Sequence, residues 1–420
     1  MSVTATDTHR TIDAIWRIES AKVIAGLTRM VRDIGVAEDL AHDALVAALE
    51  QWPNEGIPRN PGAWLMAAAK HRAIDHLRRN ALLDRKHQEL GHDLLEKQET
   101  IPDFDSALDD DVGDDLLRLV FTACHPVLPT DARAALTLRL LGGLTTEEIA
   151  RAFLSTEPTI AQRIVRAKKT LAKAQVAYEV PRGVELAARL SSVLEVIYLI
   201  FNEGYSATAG DDWVRPALCE DALRLGRILA ELMPREAEVH GLVALMEIQA
   251  SRLRARVGPS GEPILLAAQN RTLWDRLLIQ RGLNALNRAR ALGGEAGPYA
   301  LQASIAAVHA QARTADETDW SRIVDLYTVL AERMPSPVIE LNRAVAVSMA
   351  SGPEPALAIV DRLTAEPTLQ RYHFLPTVRG DLLAKLGRSD EARAEFERAA
   401  TLTQNARERD LLLGRAKACS

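Results

Sequence analysis

The sequence predicts an all-α protein. Apolar residues recur at the 3.6-residue spacing of amphipathic helices along most of the chain. Aromatic residues make up only 4% of the 420 residues, whereas alanine, leucine and arginine are abundant, and this composition disfavours β-sheets. Glycine and proline fall mainly between the periodic segments, where they end one helix and precede the next.

Composition narrows the class of protein. The length predicts two or three domains, and hydrophobic and charged fractions of 47% and 26% are ordinary for a globular chain. The net charge of −6 means that any contact with nucleic acid must come from local basic patches. Three widely spaced cysteines favour a reducing compartment and neither a disulfide framework nor a zinc site, so Cys124 and His125 are expected in the core. With no apolar signal region or membrane span in the sequence, we expect a cytoplasmic protein without metal or other cofactors.

Residues 144–173 are predicted to form two short helices. Thr145 and Glu148 have the spacing of a capping box, and Pro158 suits the first turn of the second helix. On the second helix, the apolar face holds Ile160, Ile164, Ala167 and Leu171. The polar face holds Thr159, Gln162, Arg163, Arg166, Lys169 and Lys173. This pattern is typical of a helix-turn-helix whose second helix reads DNA. A solvated basic helix in an α-hairpin is the alternative.

The first 80 residues are predicted to form three helices, over 11–33, about 37–52 and from 62 onward. The second helix has an acidic outer face, which is either solvated or docks on a basic partner. The third has a basic outer face, and residues 53–61 between these two helices form a loop rich in proline, glycine and asparagine.

Residues 84–115 differ in kind from their neighbours. They contain twelve acidic residues against three basic ones and few large apolar residues. Such a segment cannot bury enough apolar surface to fold by itself, which predicts a flexible acidic linker over residues 81–113. A segment that lies along a basic channel and imitates nucleic acid is the alternative.

The second half of the chain has a period close to that of tetratricopeptide repeats. Ile323, Ala356 and Ala392 occupy equivalent positions with offsets of 33 and 36 residues. The clearest set, Gly380, Ala392, Phe396 and Ala399, is matched one unit earlier by Ala344, Ala356, Val360 and Leu363. An earlier unit is predicted around Ala222, Gly226, Leu229 and Pro234. These matches predict a helical-repeat extension of three or four units over residues 181–420.

Two polar patches in the second half allow two interpretations each. Residues 199–213 resemble a binding loop and equally a well-packed turn between domains. Asp316, Glu317 and Asp319 beside Trp320 suggest either a cation site or, as we favour, an acidic turn that caps the next helix.

In order along the chain, three segments carry a resemblance to a known family. They are AEDLAHDALVAALEQW (37–52), the basic PGAWLMAAAKHRAIDHLRR (61–79) and, after the acidic linker, LTLRLLGGLTTEEIARAFLSTEPTIAQRIVRAKKTL (136–171). Residues 11–174 resemble regions 2 and 4 of bacterial sigma factors of the extracytoplasmic-function type, in the subgroup with a fused tetratricopeptide-like extension. The resemblance implies region 2 at 1–80, the linker at 81–113, region 4 at 114–180 and the extension at 181–420.

The resemblance also implies roles for individual residues. A polymerase-binding face is implied at Glu38, Asp39, His42 and Asp43. Contacts with the −10 element are implied for Asn54, Arg59, Asn60, Lys70, His71, Arg78 and Arg79. Contacts in the −35 major groove are implied for Glu157, Thr159, Gln162, Arg163, Arg166 and Lys169. Residues 53–61 depart from the family pattern because they include no aromatic residue, so base capture there must rest on amide and backbone contacts.

The expected function is that of a sigma factor. It would bind core RNA polymerase through the β′ clamp helices and the β flap, melt the −10 element and read the −35 element, with an unidentified protein or ligand on the C-terminal repeats. A repeat-based interaction scaffold with a degenerate sigma-like docking half is the alternative. We expect no enzymatic activity, because the sequence has no Ser/His/Asp arrangement or phosphate-binding glycine loop.

Overall fold

The computed structural model describes residues 5–89 and 112–419, and it confirms the all-α prediction. These residues contain eighteen α-helices, four 3-10 turns and two strands of two residues each. The chain divides into two compact units, Met1–Val196 and Ile197–Ser420. In the described residues we find no helix with the length and apolar character needed to cross a bilayer.

The first unit consists of a three-helix bundle followed by a four-helix domain. The N-terminal bundle contains α1 (Ala5–Val31), α2 (Ile34–Glu55) and α3 (Pro61–Glu89). The helix-turn-helix domain contains α4 (Val112–Ala123), α5 (Thr130–Leu140), α6 (Thr146–Ala152) and α7 (Glu157–Lys173). Helix α1 packs against α2, α3 and α4, and α7 packs against α5 and α6. The unit ends within α8 (Val184–Tyr205).

Several helix boundaries in the N-terminal bundle differ from the sequence prediction, and α1 begins at Ala5, before the predicted start at residue 11. Helix α2 continues through Pro53 to Glu55, because Asn54 donates to the carbonyl oxygen of Glu50 (3.2 Å) and the backbone N–H of Gly56 closes the last turn on Trp52 (3.0 Å). Helix α3 continues to Glu89, nine residues into the predicted linker. Residues 90–111 of that linker lie outside the described residues.

The second unit is built from consecutive helices. They are α9 (Pro216–Leu232), α10 (Ala237–Ala250), α11 (Arg276–Ala291), α12 (Pro298–Gln311), α13 (Trp320–Arg333), α14 (Pro337–Ser351), α15 (Pro353–Leu363), α16 (Phe374–Lys385), α17 (Ser389–Leu402) and α18 (Ala406–Ala418). Each of these helices packs on the next one in the sequence, as expected for helical repeats.

The predicted repeat positions are buried. Ile323, Ala356 and Ala392 lie on α13, α15 and α17, the alternate helices of successive pairs, and none is more than 1% exposed. A Cβ atom added to Gly380 on α16 would lie 2.9 Å from the ring of Phe396 on α17. The missing side chain therefore lets these two helices approach closely, and the fold is tetratricopeptide-like.

The two ends of the second unit are joined. Strand β1 (Ala209–Gly210), just after α8, pairs in parallel with β2 (Gln404–Asn405), just before α18. The side chain of Asn405 is fully buried and donates to the carbonyl oxygens of Ala207 (3.1 Å) and Asp212 (2.8 Å). Of the two interpretations of residues 199–213, these bonds favour a well-packed turn.

Candidate nucleic-acid interface

Side-chain caps position the two helices of the helix-turn-helix. The Thr145 hydroxyl accepts from the N–H of Glu148 (3.1 Å), and the Glu148 carboxylate accepts from the N–H of Thr145 (2.8 Å). This confirms the predicted capping box at the start of α6. Helix α7 is capped by Thr156 and carries Pro158 in its first turn. Both helices therefore begin where the sequence predicts.

Helix α7 has the two faces that its sequence predicts. The residues buried on α7 are Ile160, Ile164, Ala167 and Leu171. The exposed residues predicted to contact DNA are Glu157, Thr159, Gln162, Arg166 and Lys169, with Lys173 beyond them. Arg163 is half-buried, and its guanidinium lies 3.9 Å from the carboxylate of Asp131 on α5. The roles in DNA binding stay predictions.

The residues predicted to contact the −10 element lie on α3 and at the α2–α3 connection. Asn54, Arg59 and Asn60 are exposed, and Asn60 also caps α3 by accepting from the N–H of Ala63 (3.1 Å). On α3, Lys70 is half-buried, whereas His71, Arg78 and Arg79 are exposed. The structure thus leaves the amides of Asn54 and Asn60 exposed, together with the guanidinium groups of Arg59, Arg78 and Arg79, and such groups can contact a nucleic-acid strand.

The acidic residues of α2 differ in their exposure to solvent. Asp39 and Asp43 are exposed, but Glu38 is only 4% exposed. The Nε atom of Arg139 on α5 lies 2.6 Å from one Glu38 carboxylate oxygen, and the ammonium of Lys168 on α7 contacts the other. Burial by itself raises the pKa of Glu38, but the charges of Lys168 and Arg139 outweigh it and hold the pKa of this carboxyl below its usual range.

His42 lies in the same group of side chains. Its Nδ1 atom lies 2.8 Å from the carbonyl oxygen of Glu38, which can only accept, so Nδ1 carries the proton of the neutral ring. The Nε2 atom is then free to accept from Arg139, whose Nη2 lies 3.0 Å away. Arg139 also donates to the carbonyl oxygen of Leu144 (3.1 Å). We call Glu38, His42, Arg139 and Lys168 the Glu38 cluster.

Further contacts join the N-terminal bundle and the helix-turn-helix domain. The guanidinium of Arg17 pairs with the carboxylate of Glu148. Gly143, with a φ of 70°, packs so closely on α1 that an added Cβ atom would lie 3.3 Å from the Cα of Arg17. The Tyr178 hydroxyl lies 2.9 Å from the carbonyl oxygens of both Ala25 and Asp115. The interface therefore extends along α1 beyond the Glu38 cluster.

Sequence reasoning missed Arg139 and Lys168. Lys168 is one turn after the buried Ile164, at the edge of the inward face of α7, and Arg139 is in the last turn of α5. Both positions are half-buried, which is a signal that a helical wheel contains. The identity of their common partner, 101 and 130 residues away, is not local information.

Among the described residues, the second unit contains a further candidate binding site. A cavity of about 640 Å³ is bounded by α11, α12, the 312–319 segment and α13. Its charged lining residues are Arg290, Arg313, Arg322, Glu317 and Asp319. Asp319 caps α13 by accepting from the N–H of Arg322 (2.9 Å), and Glu317 accepts from the N–H of Arg313 (3.1 Å). The acidic segment 316–319 thus serves as a helix-capping turn, as favoured from the sequence.

No metal site forms in the part of the chain that the structure describes, where no three His, Cys, Asp or Glu side chains are suitably grouped. Cys124 is fully buried, and its sulfur lies 3.3 Å from the Thr137 hydroxyl. Burial raises the pKa of the Cys124 thiol to about 11. Cys124 is thus a core residue, as expected, whereas His125, which was also expected in the core, is only half-buried.

Three family models match successive parts of the chain. Sigma-70 region 2 matches residues 18–82 and sigma-70 region 4 matches residues 118–171. A family of unknown function (DUF6596) matches residues 189–290. The first two correspond to the N-terminal bundle and the helix-turn-helix domain.

Individual proteins resemble the chain to different extents. An uncharacterized protein of Rhizobium meliloti is 43% identical over 389 residues, which are 92% of this chain and 90% of that protein. The probable ECF RNA polymerase sigma factor SigI of Mycobacterium tuberculosis is 28% identical over 175 residues, 41% of this chain and 58% of that protein. A crystal structure of yeast Tom70 aligns with 99% of this chain and 84% of its own at 11% identity, with a TM-score of 0.31, too low to establish a common fold.

Proposed function

The chain belongs to the extracytoplasmic-function-type sigma factors with a C-terminal tetratricopeptide-like extension, and from this premise we propose that it binds core RNA polymerase and directs promoter-specific transcription initiation. The observation that carries the proposal is the polar face of α7. Amides and cations follow one another there on a helix whose opposite face is buried and whose start is fixed by a cap. Such a helix can present arginine to base edges and lysine to phosphates.

The N-terminal bundle would act on the −10 element. Unstacking a base costs a few kcal/mol, and binding to polymerase and to the cations of α3 would offset this cost. A flipped base would meet Asn54, Arg59 and Asn60 at the α2–α3 connection. These side chains offer amide and guanidinium groups, so we expect recognition by hydrogen bonds to the base edge and no stacking on an aromatic ring.

Core polymerase would bind through the acidic face of α2, at the β′ clamp helices, with a further contact at the β flap. Asp39 and Asp43 lie one turn apart and are exposed, so they form an acidic patch that attracts a basic protein surface and repels phosphate. Replacing both by alanine should weaken capture of core polymerase at least tenfold. The matched control replaces Glu50 and Glu55, two exposed acids near the end of the same helix.

Run-off transcription tests the proposal as a whole. Purified protein and core polymerase are incubated with genomic fragments, and transcripts are mapped at their 5′ ends. Defined start sites that depend on the added protein are expected. If the protein binds polymerase but no transcript starts at a defined site, the chain is instead a docking scaffold.

We propose that the extension is required for this activity and holds the two DNA-binding domains in a productive arrangement. Residues 175–183 are a short connection, and Tyr178 within it contacts both α1 and α4 of the first unit. A short connection gives the two domains that it joins a high effective concentration for each other, and this supports the proposal. The cavity lined by Arg290, Arg313 and Arg322 is where an unidentified anionic ligand or protein segment would bind.

A further inference from the structure

The connection between α10 and α11 carries three arginine side chains that pack on aromatic rings. The guanidinium carbon of Arg256 lies 3.8 Å from the centroid of the Tyr205 ring, and that of Arg252 lies 5.8 Å from the same centroid. Arg252 also lies 5.8 Å from the ring centroid of Trp274, on which Arg271 packs at 4.8 Å. With one more ring, 5.5 Å from Arg256, these side chains form what we call the Arg252 group: Tyr205, Trp213, Arg252, Arg256, Arg271 and Trp274.

The three cations of the Arg252 group have no acidic partner. Within the described residues, none of the three guanidinium groups forms an ion pair with a carboxylate. Arg252 and Arg271 are each 9% exposed, and Arg256 is half-buried. Burial lowers the pKa of Arg256 and of Arg271, and the charge of Arg252 acts in the same direction. Three positive charges are therefore held close together without a counter-charge, which is costly in a poorly solvated region.

Arg271 has a structural role in the Arg252 group. Its guanidinium donates to the carbonyl oxygens of His309 and Ala312, both at 2.7 Å, and to the Thr318 hydroxyl at 3.2 Å. These bonds hold the end of α12 and the segment that follows it. Arg271 thus adds positive charge to the group while most of its donors are occupied.

Arg252 is the cation whose donors are unused. Its guanidinium forms no hydrogen bond within the described residues, and its buried Nε atom has no acceptor. Arg256 donates to the backbone carbonyl oxygen of Tyr205 (3.0 Å), but its Nε atom also lacks an acceptor. The indole N–H groups of Trp213 and Trp274 are buried and unpaired as well. Because arginine and tryptophan side chains can only donate, the partner that satisfies them is an acceptor.

Packing on aromatic rings does not replace that acceptor. A ring attracts a cation through its face, whereas the N–H groups at the edge of a guanidinium bind oxygen atoms in the plane of the cation. A dianion offsets two positive charges and a carboxylate only one. Phosphate also has the oxygen spacing that a guanidinium binds with two parallel hydrogen bonds. The charge and the donors of the group therefore favour phosphate.

We propose that the Arg252 group binds the phosphate group of a small molecule, which accepts hydrogen bonds from Arg252 and Arg256. The site is reached from the side of Tyr205, Trp213 and Arg256, which are only partly buried. Binding removes the repulsion among the three cations, so the ligand stabilises the second unit. The extension is thereby responsive to a phosphorylated metabolite, an activity that goes beyond the proposed function and does not depend on it.

Inorganic phosphate is the probe that tests the site in the full-length protein. Thermal unfolding is followed by calorimetry at pH 8, where phosphate is a dianion, while potassium chloride keeps the ionic strength constant. A saturable rise in the unfolding temperature is expected, because a ligand that binds only the folded state stabilises it by mass action. Phosphate also stabilises proteins by its exclusion from their surface, but that effect does not saturate and is common to all variants. Acetate should give a smaller saturable rise.

Substitution of Arg252 separates specific binding from the general effect. In Arg252→Gln, the phosphate concentration at half of the maximal rise should increase at least about tenfold, the value of one hydrogen bond to a charged group. Arg254→Gln, the same change at an exposed arginine two residues away, should retain the response of the unsubstituted protein. Arg252→Lys keeps the charge without the planar fork and should bind phosphate with intermediate affinity. Circular dichroism verifies that each variant is folded.

The opposite results would overturn the proposal. If Arg252 only supports the fold, phosphate gives the same rise in Arg252→Gln, in Arg254→Gln and in the unsubstituted protein. If acetate matches phosphate, the preference for phosphate is wrong. Arg256→Gln, at a partly exposed position, provides the same comparison should Arg252→Gln not fold. These measurements use neither polymerase nor DNA, so their outcome is separate from that of run-off transcription.

Discussion

The contact between regions 2 and 4 and the contacts between repeat helices are built from different side chains. The first combines the apolar packing of α4 on α1 with a buried carboxylate that has two cations, Arg139 and Lys168, whereas the core of the last helix pairs consists of alanine, leucine, valine and Phe396. Ions released from a contact can be hydrated, but water does not compensate an apolar face that becomes exposed. The ionic part of the contact between regions 2 and 4 therefore responds to changes of charge, whereas the repeat helices depend on the burial of apolar side chains.

The largest effect on transcription is expected from truncation before α8, the helix in which the first unit ends and the second begins. Truncation after Ala174 removes Tyr178 and the start of α8, including Ser192, which donates to the carbonyl oxygen of Cys124 (2.6 Å), and Arg189, which donates to that of Phe121 (3.0 Å). Loss of these contacts and of the extension should abolish run-off transcription with core polymerase. A second truncation after Val196 keeps the whole first unit and isolates the role of the repeats. A truncated protein more active than the full chain would show that the extension inhibits.

The dependence of the repeat half on apolar burial can be tested at Phe396. This side chain is 1% exposed and packs against Gly380, so Phe396→Ala should lower the free energy of unfolding of the second unit by about 3–5 kcal/mol. Denaturant titration followed by tryptophan fluorescence measures it. The control is Gly414→Ala on α18, where an added Cβ atom meets nothing within 4 Å.

Acid should weaken the repeat half through His309. Burial lowers the pKa of His309 to about 4, and the charges of Arg252 and Arg271 act in the same direction. Between pH 6.5 and 4 the unfolded chain binds this proton and the folded one does not, so stability falls as the pH falls, by about 3 kcal/mol in all. His309→Phe keeps the ring beside Trp320 and should flatten this part of the pH profile of thermal unfolding. His240→Gln, at a partly exposed histidine, should retain the wild-type slope.

The smallest effect is expected from two substitutions on α7, which distinguish a contact with bases from a contact with phosphates. Arg163→Ala should relax sequence preference at the −35 element by about 1–3 kcal/mol, the value of one bidentate arginine–guanine contact. Lys173→Ala should weaken binding to every sequence and reduce the salt dependence. Binding is measured with holoenzyme on promoter and scrambled −35 fragments at several salt concentrations. Equal losses on both fragments for Arg163→Ala would exclude it from base reading.

Local chemistry predicted much of the fold. The capping box of Thr145 and Glu148, the inward face of α7 and the burial of Ile323, Ala356 and Ala392 were all legible in the sequence, because caps and helical periodicity act over a few residues. The sequence did not predict that α2 continues past Pro53. The last turn of α2 depends on two hydrogen bonds, which the side chain of Asn54 and the N–H of Gly56 donate.

The contact at Glu38 was beyond sequence reasoning for a different reason. Periodicity correctly separates the faces of α2 relative to its own bundle, but it does not say which outward residue a second domain covers. Glu38 and Asp39 are adjacent and chemically alike, yet one is 4% exposed and the other is exposed. Only the position of Arg139 and Lys168 in space distinguishes them.

The pairing of β1 with β2 has a consequence for how the chain folds. An open array of repeats can fray from either end and can grow one repeat at a time as it is synthesised. Here Asn405 bonds to Ala207, 198 residues earlier, so the loop after α8 can complete its hydrogen bonds only once β2 is in place. Such a long loop closure slows folding, and once formed it opposes the separation of the helices between the two strands.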